Sequence, residues 1–207
     1  MCKSHHMNSV KTAVTLFALT SVLEFGSAIG ALSYTLKPSM GQQFEQQRTN
    51  PAPAGGSLFE RGLNKQDRED YAGAIADYTE FLRTHPYHLE SFSNRGFARA
   101  MQNDLKGSIA DLTRAIEIAP SNADAYNARG NVNAMAGNLT ASVRDFNQAI
   151  RFDRDFADAY YNRALSRHGL GDRRGAKMDL SRAAQLFRQQ RDIGGYQQAR
   201  EWIDKLK

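Results

Sequence analysis

From residue 55 onward the apolar residues fall in a helical rhythm. Ile109, Leu112, Ala115, Ile116 and Ala119 recur at steps of three and four, as do Val143, Phe146, Ala149, Ile150 and Phe152. That spacing predicts amphipathic helices. Between Leu89 and Asn122 it predicts a helix over roughly Glu90 to Met101, a turn at Gln102-Asn103-Asp104, and a second helix over Gly107 to Ala119. Pro120 closes the second helix, because proline cannot continue a helix interior. The same pair of helices recurs along the chain. Gly62, Gly96 and Gly130 are 34 residues apart and Ala164 continues the step. Arg61, Arg95, Arg129 and Arg163 precede them, and Asp77, Asp111, Asp145 and Asp179 keep the same interval. So do Tyr78, Leu112, Phe146 and Leu180. A fixed period of this length marks a solenoid of stacked units. The chain is therefore expected to be all-α: an α-solenoid of about four helix-turn-helix units at 55–88, 89–122, 123–156 and 157–190.

The fourth unit is degenerate, with Arg173, Lys177 and Arg188 where the others carry apolar residues or proline. A terminal unit is expected to be polar on its outer side. After it, residues 191–207 place Tyr196, Ala199, Trp202, Ile203 and Leu206 on one face. This predicts a helix that caps the edge of the last unit. The mid-helix glycines cost up to about 1 kcal/mol each against alanine, which is sensible where another helix must come close. Ala74, Ser108, Ser142 and Ala176 are the small residues expected opposite them. The in-phase Arg and Asp residues predict an ion pair between the two helices of each unit. The alternative is that all eight side chains are solvated, and exposed pairs contribute only about 0–1 kcal/mol.

These residues resemble the tetratricopeptide repeat family. Its pattern has a large apolar residue at the fourth position, small residues at the eighth and twentieth, an aromatic at the twenty-fourth, alanine at the twenty-seventh and proline at the thirty-second. Here Leu58, Phe92, Tyr126 and Tyr160 stand at the fourth, and Phe81, Ala115, Ala149 and Ala183 at the twenty-seventh. The resemblance covers residues 55–190. It departs at the seventh position, always Arg, and at the eleventh, where Lys65, Arg99, Asn133 and Arg167 replace the usual tyrosine. The resemblance implies a concave groove lined by the first helix of each unit, at positions two, five, nine and twelve. Those include Phe59, Leu63, Ser93, Phe97, Asn127, Asn131, Tyr161, Leu165 and His168. Such a face suits an extended peptide or a helix of a protein partner. Chaperone-binding members of the family hold a partner's C-terminal carboxylate with Lys, Asn and Arg. The corresponding residues from the first unit are Phe59, Leu63, Asn94, Asp124 and Ala128, of which only Asn94 fits. Capture of a carboxylate in that manner is not expected.

The N-terminus has a different pattern. Lys3 and Lys11 flank no acid, the run Thr12 to Leu23 is uncharged and mostly apolar, and small residues follow. This is the order of an export signal, expected over residues 1–30, with cleavage near Ala28 or Gly30. The alternative is an uncleaved membrane anchor. Thr12 to Leu36 is long enough to span roughly 30 Å of hydrocarbon, but Glu24 near its middle costs about 2.5–3.5 kcal/mol. Residues 31–56, rich in Gln, Pro, Gly and Ser, read as a flexible linker. The expected location is periplasmic or secreted, or the membrane if the anchor is retained.

Composition narrows the function classes. The 207 residues are 41% hydrophobic with a net charge of +5, a mildly basic chain with one cysteine, Cys2. One cysteine forms no intrachain disulfide. Positive charge gathers in the C-terminal third. Arg95, Arg99, Arg163 and Arg167 make a basic stripe for nucleic acid only if the repeated Asp residues leave them free, so no nucleic-acid partner is expected. His5, His6, His85, His88 and His168 lack the neighbouring ligands a zinc site needs. No nucleophile–base spacing and no Gly-rich phosphate loop is present. No enzyme activity, metal or cofactor is expected. The sequence points to an exported interaction scaffold, or to a membrane-held envelope component presenting the same repeats.

Overall fold

The computed structural model describes residues 57–206. The expected export signal and linker, residues 1–30 and 31–56, lie outside the described residues, apart from the start of the repeats. Among the described residues there are nine helices and no strand. The first unit holds α1 (Leu58–Asp67) and α2 (Tyr71–Thr84), and the second α3 (Leu89–Met101) and α4 (Leu105–Ile118). The third holds α5 (Ala123–Met135) and α6 (Leu139–Phe152), and the fourth α7 (Ala157–Gly169) and α8 (Arg173–Gln189). The chain closes with α9 (Ile193–Lys205). Each helix packs on the one before and the one after it, and the first helices of neighbouring units also touch. This is the all-α solenoid the period predicts.

The turn inside the first, second and fourth units is built the same way. Asp70, Asp104 and Asp172 accept hydrogen bonds from the backbone N–H groups of Gly73, Gly107 and Gly175 at 2.9, 2.9 and 2.8 Å. These carboxylates cap α2, α4 and α8, satisfying donors that a helix start leaves unpaired. A methyl group at Gly107 would sit 2.1 Å from the Asp104 carboxylate. The third unit carries Ala141 at the equivalent place, and there Asn138 makes no side-chain cap bond.

The mid-helix glycines do admit a close neighbour, in each case a large side chain nearest; of the expected small residues, Ser108 also comes close, its carbonyl oxygen 3.4 Å from a Cβ at Gly96. A Cβ at Gly62 would lie 2.5 Å from the Tyr78 ring, one at Gly130 2.6 Å from the Phe146 ring, and one at Gly96 3.1 Å from Leu112. The residue at the twenty-fourth position, large rather than small, lies over each glycine. Ala74, Ser108, Ser142 and Ala176 are fully buried all the same. Ser142 shows their use between units: its hydroxyl donates to Ser166 Oγ in the following unit at 2.7 Å. Ser108 stands 24 residues before Val132, as Ser142 stands before Ser166, and its hydroxyl has no partner.

At the C-terminal end α8 runs 17 residues against 14 for α2, α4 and α6. No proline stops it. Helix α9 packs on α8, burying Ala199 and Leu206 and setting Tyr196, Trp202 and Ile203 against Tyr161, Leu165, Leu186 and Phe187 in one apolar cluster.

The glycine packing makes a paired prediction. Gly130→Ala is expected to cost about 1–3 kcal/mol, because the methyl group must displace an aromatic ring from a filled core. A Cβ at Gly96 meets nothing nearer than Leu112 at 3.1 Å, with Asp111 and the Ser108 carbonyl at 3.4 Å, and the fourth unit already carries Ala164 there, so Gly96→Ala is expected to be neutral or to stabilise by up to about 1 kcal/mol. Urea unfolding followed by circular dichroism separates the two; equal losses at both positions would contradict this account.

Candidate protein-binding face

The two sides of the first helices are chemically opposite. On one side lie the seventh and eleventh positions. Arg95 Nε and Nη2 donate to both carboxylate oxygens of Asp111 at 2.9 and 2.6 Å. Arg129 grips Asp145 at 3.1 and 2.7 Å, and Arg163 grips Asp179 at 2.9 and 2.6 Å. In the first unit Arg61 and Asp77 form the same pair. The four aspartates are buried. A buried carboxylate is tolerated only when its oxygens are hydrogen-bonded and its charge is paired. The guanidinium supplies both in one planar fork, which lysine cannot.

The remaining donor reaches backwards. Arg95 Nη1 donates to Thr79 Oγ1 at 3.0 Å, Arg129 Nη1 to Thr113 Oγ1 at 3.1 Å, and Arg163 Nη1 to Asn147 Oδ1 at 2.7 Å. Each acceptor belongs to the second helix of the preceding unit. One arginine therefore joins three helices across a unit boundary. Arg61 has no preceding unit among the described residues, and its side chain is 59% exposed against 13% for Arg95. Phe92, Tyr126 and Tyr160 lie under the guanidinium groups of Arg95, Arg129 and Arg163, with 5.3–5.7 Å from ring centre to guanidinium carbon.

The eleventh position completes the clasp. Lys65 approaches Asp77 at 2.8 Å, Arg99 approaches Asp111 at 2.9 Å and Arg167 approaches Asp179 at 2.8 Å, while Asn133 donates to Asp145 at 2.9 Å. In the sequence these residues stand as departures from the family's tyrosine, with Arg99 and Arg167 also in the candidate basic stripe. The signal was present, since a donor stands twelve residues before every repeated Asp. Arg61, the largest influence, and Lys65 hold the Asp77 carboxyl below its ordinary range against the opposing push of burial. The arginines of the supposed basic stripe are all committed to aspartates, so that stripe is not free. In the third unit the shorter Asn133 borders a shallow cavity of about 500 Å³ beside Tyr126, Arg129, Arg144, Asp145 and Gln148.

On the opposite side lie the nine residues expected in the groove. They do not make a uniformly open surface. Phe97, Asn127, Asn131, Tyr161 and Leu165 are buried. Phe97 packs its ring against Tyr71 of the preceding unit. Asn127 accepts a hydrogen bond from Asn162 Nδ2 of the following unit at 3.4 Å. Tyr161 and Leu165 lie in the cluster covered by α9, and Trp202 meets the His168 ring edge-on at 5.7 Å. Neighbouring first helices, and α9 at the end, thus take up surface that sequence alone assigns to a partner. Phe59, Leu63, Ser93 and His168 remain half-buried. Phe59 sits in an aromatic group with Tyr78, Phe81 and His88.

A second feature of this side escaped the sequence reading. Glu90, Asp124 and Asp158 occupy the second position of successive units, and Asp192, the cap of α9, continues the 34-residue step. Asp158 is pushed up to about 6, first by burial and then by Asp192 and Asp124. Among the described residues no three His, Cys, Asp or Glu side chains converge on a point that could hold a metal ion.

Because Asp158 titrates higher in the fold than near 4 in the unfolded chain, its protonated form favours folding. The penalty for ionising it is present in full above pH 6 and fades as pH falls toward 4. Asp158→Asn is expected to stabilise the domain by about 1–2 kcal/mol at pH 7.5 and to have little effect at pH 4. Thermal melts of both proteins across that range check this; an equal gain at the two ends would remove the ionisation penalty as its cause.

The comparisons with known proteins agree with the geometry. A family model described as TPR repeat matches residues 96–137 and 135–171. Among curated proteins none matches. Among solved structures, MamA 41-end from Desulfovibrio magneticus RS-1 is similar at 19% identity, over 80% of this chain and 88% of that one, with a TM-score of 0.61. The TPR2B domain of yeast Sti1, in a pHsp70 complex, is similar at 20% identity over 57% of this chain and 94% of that one, with a TM-score of 0.55. The first TPR of Spaghetti (RPAP3), bound to the HSP90 peptide SRMEEVD, shares 21% identity over 55% and 90%, with a TM-score of 0.54. At these identities the likeness is one of fold.

Proposed function

This chain is a tetratricopeptide-repeat protein, and from that premise we propose that it is a non-enzymatic scaffold whose inner face holds an extended peptide or a helix of a protein partner. The observation that carries this reading is the division of labour between the two sides of the first helices. The outer side spends its charged groups on joining units. The inner side of the first two units keeps half-buried apolar and small residues, Phe59, Leu63 and Ser93. Two of the structures named above, the Sti1 domain in its pHsp70 complex and the Spaghetti domain with an HSP90 peptide, hold a partner on the same fold, which supports a protein partner here without specifying it.

Ser93 is the suitable probe, being half-buried on the inner side and small. Ser93→Arg fills the inner face without touching the buried clasp. In affinity capture with the full chain as bait, the wild type and an outer-side control, Arg114→Glu, are expected to recover the same proteins. Ser93→Arg is expected to recover them at least about tenfold less well, the loss that about 1.4 kcal/mol produces. Equal recovery by all three would remove the inner face from the binding surface.

The N-terminal pattern supports export, with the scaffold working in the periplasm or outside the cell. The competing proposal, a membrane-held envelope component, is favoured by the length of the uncharged stretch on either side of Glu24. Among the described residues no helix is long and apolar enough to cross a membrane. Terminal sequencing of the protein isolated from its own cells is expected to begin between residues 28 and 31. An intact N-terminus in the membrane fraction would favour the anchor.

A further inference from the structure

The third unit departs from the others at two places that border one cavity. Position eleven, where Lys65, Arg99 and Arg167 bring a second cation to the buried aspartate at 2.8–2.9 Å, is Asn133. Its amide donates to the same carboxylate oxygen, Asp145 Oδ2, at 2.9 Å, but is too short to fill the room that an arginine takes. In the second unit Arg99 also donates to the Gly107 carbonyl at 3.2 Å. The residue corresponding to Gly107 is Ala141, and Asn133, Ala141 and Asp145 all line the cavity of about 500 Å³. The cavity thus lies where the other units hold their second cation. The second departure is at position twenty-two, which is Ala76, Ala110 and Met178 in the other units and Arg144 in the third. Arg144 lines the same cavity, is exposed, and has no hydrogen bond or ion pair among the described residues. The cation missing from the clasp reappears, unpaired, at the rim of the space it leaves.

We infer that this cavity is a binding site for a small organic carboxylate, held by the Arg144 guanidinium. The site lies on the outer side and does not depend on the inner face. An arginine in water needs no partner; what sets Arg144 apart is the charge and the donors around it. Arg129 and Asp145 neutralise each other, so Arg144 leaves the cavity with one positive charge. The Asp145 oxygens already accept three N–H bonds, from Arg129 Nε and Nη2 and from Asn133. A partner's lysine or arginine entering in place of the missing one would therefore meet two arginines and a carboxylate already bonded on both oxygens. An anion meets the reverse. Asn147, also in the lining, has its carbonyl oxygen taken by Arg163 Nη1 at 2.7 Å and is left with N–H groups to donate. A carboxylate is the acceptor that matches a planar guanidinium fork. One positive charge suits a monoanion better than a phosphate dianion, which Asp145 repels more strongly. The body of the ligand has Ile109, Ala141 and Tyr126 to lie against. The volume falls within the roughly 300–1,000 Å³ of small-molecule sites.

The test uses the full chain and three probes of one shape: phenylacetate, its uncharged amide phenylacetamide, and the cation phenethylamine. Saturation-transfer NMR is expected to show binding of phenylacetate, with the amide and the amine at least about tenfold weaker, the loss of one charge-assisted contact. Two variants each copy another unit. Arg144→Ala gives the third unit the residue of the first two, and Asn133→Arg gives it the residue of the second and fourth. The first removes the guanidinium and the second fills the cavity, and each is expected to weaken phenylacetate at least about tenfold. Alanine favours a helix more than arginine does, so Arg144→Ala keeps its fold, and a thermal melt of both variants verifies this. Phenylacetate binding that neither variant weakens, or no binding at all, would overturn the proposal. Equal binding of the amide would make the site apolar rather than anionic, and preference for the amine would reverse its sign; either result overturns a carboxylate site. Displacement of phenylacetate by equimolar phosphate would leave a general anion site and overturn the assignment to carboxylates. Displacement by a lower concentration of the capped peptide Ala-Glu-Ala would assign the cavity to an acidic side chain of a partner and overturn a free ligand.

Discussion

A buried aspartate gripped by an arginine fork recurs in all four units, and the rest of the array depends on it. The carboxylate of Asp111 lies 3% exposed between two helices, where an unpaired charge is not tolerated. Arg95 answers it with two donors and uses a third on the second helix of the unit before. Helix pairing within a unit and stacking between units are thereby tied to one side chain. Removing one partner of a buried pair typically costs about 3–5 kcal/mol, because the charge left behind has no solvent. In a solenoid, where each unit contacts only its neighbours, such a joint sets how strongly adjacent units cohere.

The clasp also sorts charge. Nearly every cation of the first helices is drawn to the outer side, where it neutralises a buried acid. What remains on the inner side is uncharged or negative. At the second position the same 34-residue phase places acids, Glu90, Asp124 and Asp158. The fourth unit ends against α9, whose Trp202 and Ile203 join the cluster over Tyr161 and Leu165. The C-terminal helix thus covers the apolar edge of the fourth unit.

Much of this was legible in the sequence. The helical period, the arginine–aspartate pairs and the apolar face of the last helix depend on local spacing, and spacing survives in one dimension. The donor at position eleven was legible too, as a constant twelve-residue offset to the aspartate, but it resembled a mere departure from the family pattern. The glycines announced a close approach without saying to what; the ring of Phe146 over Gly130, and not the small Ser142, is a matter of side-chain direction.

Exposure was decided only by the tertiary structure. The family resemblance puts position nine in the groove, yet Phe97 is buried against Tyr71, and Leu165 is covered where α9 docks. Whether a side chain on a given helix face meets water or a neighbour depends on how far successive units are rotated and how closely their first helices approach. Those are sums of many contacts between residues distant along the chain, and no single spacing encodes them. The sequence by itself determined which residues share a face; the stacking determined which of those faces stayed open.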